Sequence, residues 1–158
     1  MNSTHKYYMS EAIKAAVKGL KNNDGGPFGC IIVKDGNIVG LGNNKVTSTN
    51  DPTAHAEVIA IRDACKNLGT FQLDGCTVYT SCEPCPMCLG AIYWARPEKV
   101  FYGSNKIDAA AVGFDDEFIY QEIELPYKER NIPFEQVSRA EALQLFEQWS
   151  NTEDAKQY

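Results

Sequence analysis

The apolar positions change period twice in the first half of the chain. Ile13, Ala16, Val17 and Leu20 fall at i, i+3, i+4, i+7 within residues 3–22, which predicts an amphipathic helix that covers a sheet and turns its lysines to water. Asp24, Gly25, Gly26 and Pro27 break it. Phe28 to Lys34 then reads as a buried strand, and Asp35 with Gly36 is a strong hairpin signal into a second, antiparallel strand from Asn37 to Gly42. The polar run from Asn43 to Asn50 predicts a loop. Asp51, Pro52 and Thr53 are start signals for a helix containing His55, Glu57, Ile61, Cys65 and Leu68, with His55 in its first turn and Gly69 at its end.

Beyond Gly69, Thr77 to Thr80 predicts a short strand that delivers the chain to Cys82. Pro84 suits the opening of the next helix, because its fixed φ fits and an N–H in a first turn has no intrahelical partner. Cys85 and Cys88 project from one face of that helix, which runs on through Met87 to Ala95 until Arg96 and Pro97 stop it. Lys99 to Gly103 is a further strand. Ala109 to Asp116 reads as a loop or short turn, Glu117 to Leu125 as helix-compatible, and Phe134 to Ser138 as a last strand. Ala142, Leu145, Phe146 and Trp149 repeat the helical spacing, and Ser150 to Tyr158 form a polar tail. Strands alternating with helices after a hairpin imply parallel pairing through crossovers. The expected architecture is a three-layer α/β/α sandwich with a mixed five-stranded sheet, built as a single domain over residues 1–158.

Composition narrows the function classes. Lys and Arg number 15 against 21 Asp and Glu, a net charge of -6, the wrong sign for a surface that must neutralise many phosphates. A small-molecule substrate is favoured over nucleic acid. No charged and apolar leader opens the chain and no apolar run approaches the roughly 20 residues that span a bilayer, so a soluble, cytoplasmic protein without a membrane partner is expected. Three of the six cysteines lie between Cys82 and Cys88, which favours reduced thiols, some of them ligands, over disulfides.

The chemistry concentrates between Asp51 and Cys88. His55, Cys85 and Cys88 offer one imidazole and two thiolates, three strong ligands for a Zn²⁺ ion whose fourth position holds water or hydroxide. Zinc lowers the pKa of bound water from 15.7 to about 7. Glu57, two residues after His55, is placed to shuttle a proton without ligating. His-x-Glu followed by Pro-Cys-x-x-Cys is the signature of zinc nucleobase deaminases. Alone, His-x-Glu is usually two solvated side chains on a helix, and a single Cys-x-x-Cys is a redox pair or half of a structural site. Cys82 also completes a Cys-x-x-Cys with Cys85, and a closed structural zinc module would use it as a fourth thiolate; its place at a strand end favours packing. Cys30, Cys65 and Cys76 fall at core positions, and His5 in a polar, solvated segment.

Thr53 to Glu57 (TAHAE) and Thr80 to Cys88 (TSCEPCPMC) resemble the cytidine deaminase superfamily, in its branch with the tRNA adenosine deaminases. Further stretches, Asp24 to Gly29 (DGGPFG), Asn50 to Thr53, Tyr93 to Arg96, Gly113 to Tyr120 (GFDDEFIY) and the terminal Tyr158, are similar to the bacterial guanine deaminases, over nearly the whole chain. That resemblance implies a cytidine deaminase-like fold, one Zn²⁺ per chain, hydrolysis of guanine to xanthine and ammonia in purine metabolism, and a homodimer in which C-terminal segments are exchanged. It places Phe28 as a stacking ring, Asn44 as an amide that donates and accepts, the Ala56 N–H as a donor, and Asp116, in preference to Asp115, as an acceptor. Trp94 and Tyr158 would contact the base, the tail 150–158 folding over it. A deaminase of another small base, such as cytosine, would use the same zinc and Glu57 with a different pocket. A tRNA adenosine deaminase shares the motif but must hold a polyanion.

Overall fold

The computed structural model describes residues 3–157. The chain divides into two compact units, Met1–Asp116 and Glu117–Tyr158. The first is built on a mixed sheet of four strands in the order β2-β1-β3-β4, where β1 is Gly29–Lys34, β2 Asn37–Asn43, β3 Thr77–Cys82 and β4 Lys99–Ser104. The hairpin forms where Asp35 and Gly36 predict it, and both residues take positive φ, as its tight turn requires. β1 also pairs antiparallel with β3, and only β3 with β4, joined through a helix, is a parallel pair.

Helices lie on both sides of this sheet. α1 (Ser3–Lys21) packs on β1 and β3, burying Tyr8 and Ala12 against Ile31, Val33 and Tyr79. The opposite side of the strands, Cys30, Ile32 and Val78, meets Ala56, Ala60 and Ala64 of α3 (Ala56–Leu68) and Ala95 of α4 (Pro86–Ala95). The alternation of Cys30, Ile31, Ile32 and Val33 between the two cores follows from the two-residue period of a strand.

The buried stripe of α1 is not the one its bulky residues predict. Ile13, Val17 and Leu20 are exposed, and the face on the sheet is Tyr8, Ala12, Ala15, Ala16 and Gly19. Small side chains let the helix axis approach, and close packing over a long contact outweighs the larger but rotated stripe. α3 repeats the principle with alanines at i, i+4, i+8. They face Gly40 and Gly42 of β2, where an added Cβ would overlap the carbonyl oxygens of Ala60 and Ala56 respectively. His5, expected in solvent, is half-buried on α1: its Nδ1 lies 2.8 Å from Tyr79 Oη and its ring 4.3 Å from that of Phe101.

Two element starts also differ from expectation. The run from Asn43 to Asn50 contains a one-turn helix, α2 (Val46–Thr49), closed by Asn50 in the left-handed conformation. The helix of the second motif opens at Pro86 and not Pro84, with Cys85 as its N-cap. A residue before proline is driven out of the α region, so Cys85 stays extended and the helix begins one residue later. Gly69 and Arg96 end α3 and α4 as left-handed C-caps.

In the second unit, α6 (Glu117–Glu124) follows the short α5 (Lys106–Ala110) of the first, and α7 (Arg139–Ser150) closes the chain. Arg130 donates from Nε to Leu125 O and from Nη2 to Ile123 O, satisfying carbonyls at the end of α6. The strand expected over Phe134 to Ser138 does not form, so the described sheet has four strands and not five. Phe134 instead stacks on Tyr127 at 5.3 Å, with the Arg130 guanidinium over both rings. Local alternation cannot make a strand without a neighbour to take its hydrogen bonds.

Candidate active site

Two helix starts bring the ligand set together. His55 is the N-cap of α3, extended at φ -72°, ψ 154°, and Cys85 holds the same position on α4 at φ -65°, ψ 168°. His55 therefore stands just outside the first turn rather than within it. Neither side chain caps its own helix, which leaves both free to turn toward the same point.

His55 Nδ1 lies 3.5 Å from Cys85 Sγ and 3.5 Å from Cys88 Sγ, and the three atoms all fall within 4.8 Å of one another. A tetrahedral Zn²⁺ with Zn–N of about 2.0–2.1 Å and Zn–S of about 2.3 Å separates N from S by about 3.5–3.6 Å. The donor set thus fits the ion in both chemistry and spacing. Cys82 stays outside it, buried at the end of β3 with Sγ 3.7 Å from Asn105 O. Among the described residues no other cluster of His, Cys, Asp and Glu has metal-binding spacing.

The sulfurs are unequal in charge. A hydrogen bond from Cys88 and, against burial, one from His55 hold Cys85 down to about 4, whereas the hydrogen bond to Cys85 and burial push Cys88 well up. Binding an ion requires Cys88 to lose its proton as well. The hydrogen bond to Cys85 raises the His55 imidazole above its ordinary value, with burial opposing.

Glu57 is only 6% exposed, and its Oε2 accepts from Cys88 Sγ at 3.4 Å. Burial is the main cause that raises its carboxyl above the ordinary range. A carboxyl raised by burial holds a proton more readily than an exposed one. Ala56 lies between the ligand and the acid, fully buried. As the first residue of α3 its N–H has no intrahelical acceptor, and among the described residues none meets it.

Phe28 and Asn44 are joined through the backbone, Asn44 N donating to Phe28 O at 3.0 Å, and Lys45 N donates to Ala54 O beside His55. The Phe28 ring is partly buried on the core and meets Phe114 edge-on at 4.9 Å, with Gly26 against both rings. Sequence reasoning passed over Phe114 as a site residue, although it sits within the Gly113 to Tyr120 stretch. Asp116 is half-buried and its carboxyl is raised, first by burial and then by the charge on Cys85, while Asp115 is exposed. The charge on Cys85 thus reaches the Asp116 carboxyl. Trp94 stands at the far end of α4 from Cys85, 63% exposed. Tyr158 lies outside the described residues.

Residues 2–104 match the family described as the cytidine and deoxycytidylate deaminase zinc-binding region. Guanine deaminase of Bacillus subtilis is 58% identical over 154 residues, 98% of this chain and 99% of its own. The X-ray structure of guanine deaminase from Bacillus subtilis superimposes with a TM-score of 0.95 at 57% identity, covering 100% of this chain and 99% of that one. The tRNA-specific adenosine deaminase of Aquifex aeolicus is 40% identical, but over 63% of this chain and 65% of its own. A guanine deaminase structure from Nitrosomonas europaea gives a TM-score of 0.66 at 30% identity over 69% of this chain and 63% of that chain. With a metal-binding group of matching geometry and a relative alike from end to end, this chain belongs to the cytidine and deoxycytidylate deaminase zinc-binding family, in its guanine deaminase branch.

Proposed function

We propose that this protein hydrolyses guanine to xanthine and ammonia, with one Zn²⁺ per chain held by His55, Cys85 and Cys88. The observation that carries the chemistry is the triangle of His55 Nδ1 with the two sulfurs at 3.5 Å, with the buried Glu57 carboxyl against Cys88. The choice of guanine rests on the near full-length similarity to the Bacillus subtilis enzyme. When bound, the ion supplies a Lewis acid that makes water nucleophilic at neutral pH.

Glu57 takes a proton from the attacking water as the new C–O bond forms at C2 of the purine, and gives it to a ring nitrogen. It then carries the proton of the new C2 hydroxyl to the exocyclic amino nitrogen, so that the C2=O double bond forms as the exocyclic C2–N bond breaks and ammonia leaves neutral. Phe28 stacks on the base, the Ala56 N–H donates to it, and Asp116 accepts from the N1–H and amino donors that distinguish guanine from adenine. Trp94 and Tyr158 are assigned to the base as well, and the tail 150–158 to its cover. Deleting 150–158 should then cut turnover while zinc content stays unchanged.

We assign the protein to the cytoplasm and to a homodimer whose subunits exchange C-terminal segments. α4 supports a dimer, because its ten residues carry no charge and yet Leu89, Tyr93 and Trp94 are exposed. A helix apolar on all sides is normally covered. On α7, Leu145, Phe146 and Trp149 are exposed too. Sedimentation equilibrium is expected to return twice the 17.5 kDa chain mass. Zinc-loaded protein incubated with guanine, adenine, cytosine and their nucleosides should release ammonia from guanine; release from cytosine but not guanine would overturn the substrate assignment.

A further inference from the structure

The Asn44 amide is oriented by the backbone around it. Its Oδ1 accepts from two main-chain donors, Gly26 N and Val46 N, each at 3.2 Å. Reversing the amide would aim its NH₂ at two N–H groups, donor against donor, so only one orientation is allowed. No other hydrogen bond of this side chain is made among the described residues, and no fully buried side-chain N or O there lacks a partner, so Nδ2 is left without a protein acceptor and is not completely sealed. Asn44, which by type can donate and accept, is left here as a donor alone.

Asp24 and Asn43 hold the frame that does this. Asn43 Nδ2 donates to Asp24 Oδ2 at 2.9 Å and to the Asn44 carbonyl at 3.1 Å. Asp24 begins the turn whose second glycine supplies the Gly26 donor. Its own carbonyl accepts from Ser48 N and Thr47 Oγ1, both at 3.0 Å, and so anchors α2, whose first residue supplies the Val46 donor. Nothing larger than glycine fits at position 25, where a Cβ would overlap Asn44 Oδ1. The Asp24 carbonyl anchors α2, and the Asp24–Asn43 side-chain pair ties the turn that supplies Gly26 to the Asn44 main chain, closing one ring of contacts.

We propose that Asp24 and Asn43 are positioning residues that lock Asn44 as a hydrogen-bond donor, so that Asn44 reads an acceptor on the purine while Asp116 reads its donors. The proposal rests on the guanine reading above. A site with donor and acceptor fixed in place rejects bases whose edges are reversed, since mismatched polar groups are left buried and unpaired.

The test is steady-state deamination of guanine by zinc-loaded Asp24→Ala, Asn43→Ala and Asp24→Asn, alone and in an Asn44→Ala background, with zinc content and thermal unfolding measured on each. Asp24→Ala and Asn43→Ala should raise KM about tenfold with kcat changed less than about threefold and zinc retained. Asp24→Asn keeps an oxygen for Asn43 Nδ2 and should recover most of the loss. In the Asn44→Ala background, adding Asp24→Ala should change kcat/KM less than about twofold, because its partner in the effect is already gone. Additive losses in that background, or Asp24→Asn no better than Asp24→Ala, would overturn the positioning role while leaving guanine deamination intact. A wild-type protein inert toward guanine would overturn both.

Discussion

Gly42→Ala probes whether the close approach of α3 to β2 sets the geometry of the site. The added methyl would overlap the Ala56 carbonyl oxygen and stand 2.7 Å from Ala60 N and 3.1 Å from Ile59 Cβ. Carbon contacts settle at about 3.5–4.0 Å, and two of these three atoms are backbone that cannot rotate aside. The first turn of α3 must therefore retreat from the sheet by on the order of 1 Å. Overpacking of this kind costs about 1–3 kcal/mol. In a chain of this size each of those kcal/mol lowers the melting temperature by about 2–4 °C. Catalysis should suffer more than stability, because Ala56 stands between His55 and Glu57, and misplacing reacting groups by about 1 Å costs about 10²-fold in rate.

Gly40→Ala supplies the control. Its methyl would overlap Ala60 O and lie 2.7 Å from Ala64 Cβ, the same kind of clash one turn further along α3 from the ligands. Melting temperature, zinc content and kcat measured on both variants should show similar destabilisation, with the large loss of turnover confined to Gly42→Ala. Wild-type turnover in Gly42→Ala, or an equal loss in Gly40→Ala, would refute the idea that this contact aims the catalytic residues.

Glu57→Gln keeps the shape of a side chain that is buried beside Cys88 but removes the exchangeable acid, so kcat should fall about 10²–10⁴-fold while metal analysis still finds one zinc per chain. Cobalt-substituted protein should show a charge-transfer band of two sulfur ligands, reduced to about half in Cys88→Ser and unaffected by Cys82→Ala. In metal-free protein, Cys85, held down to about 4, is expected as a thiolate at pH 6. Iodoacetamide followed by peptide mapping should label it before Cys88, and zinc should block the reaction. Asp51 accepts from Thr53 Oγ1 at 2.7 Å and Thr53 N at 2.8 Å, and these bonds hold its carboxyl below the ordinary range. Its support for the start of α3 is complete above the ordinary carboxylate value and is lost as pH falls through the depressed one. A carboxyl ¹³C titration that places Asp51 at or above the value of an unfolded peptide would contradict this.

Much of the site could be read before any fold was known. His55, Cys85 and Cys88 were legible because metal chemistry restricts residue type and spacing more tightly than packing does, and the structure gathers the three within one ion's reach. The residues proposed to face the purine were legible only as residue types. Asn44 carries both a donor and an acceptor in any sequence, and it took Gly26 N and Val46 N, brought from two different turns, to consume one of them.

The sequence by itself determined where elements begin and end, because these signals act within a few residues: the Asp35 and Gly36 hairpin, Gly69 closing α3, and Arg96 with Pro97 closing α4. Even the late start of α4 is local, since Pro86 forbids a helical Cys85. Tertiary structure decided what no local window contains. It selected the alanine and glycine face of α1 over Ile13, Val17 and Leu20, since only the small face lets the helix settle onto the sheet. It drew His5 onto Tyr79 and denied Phe134 to Ser138 a strand partner. Periodicity can name an apolar stripe, but which stripe is buried depends on how closely the backbones that meet there can approach.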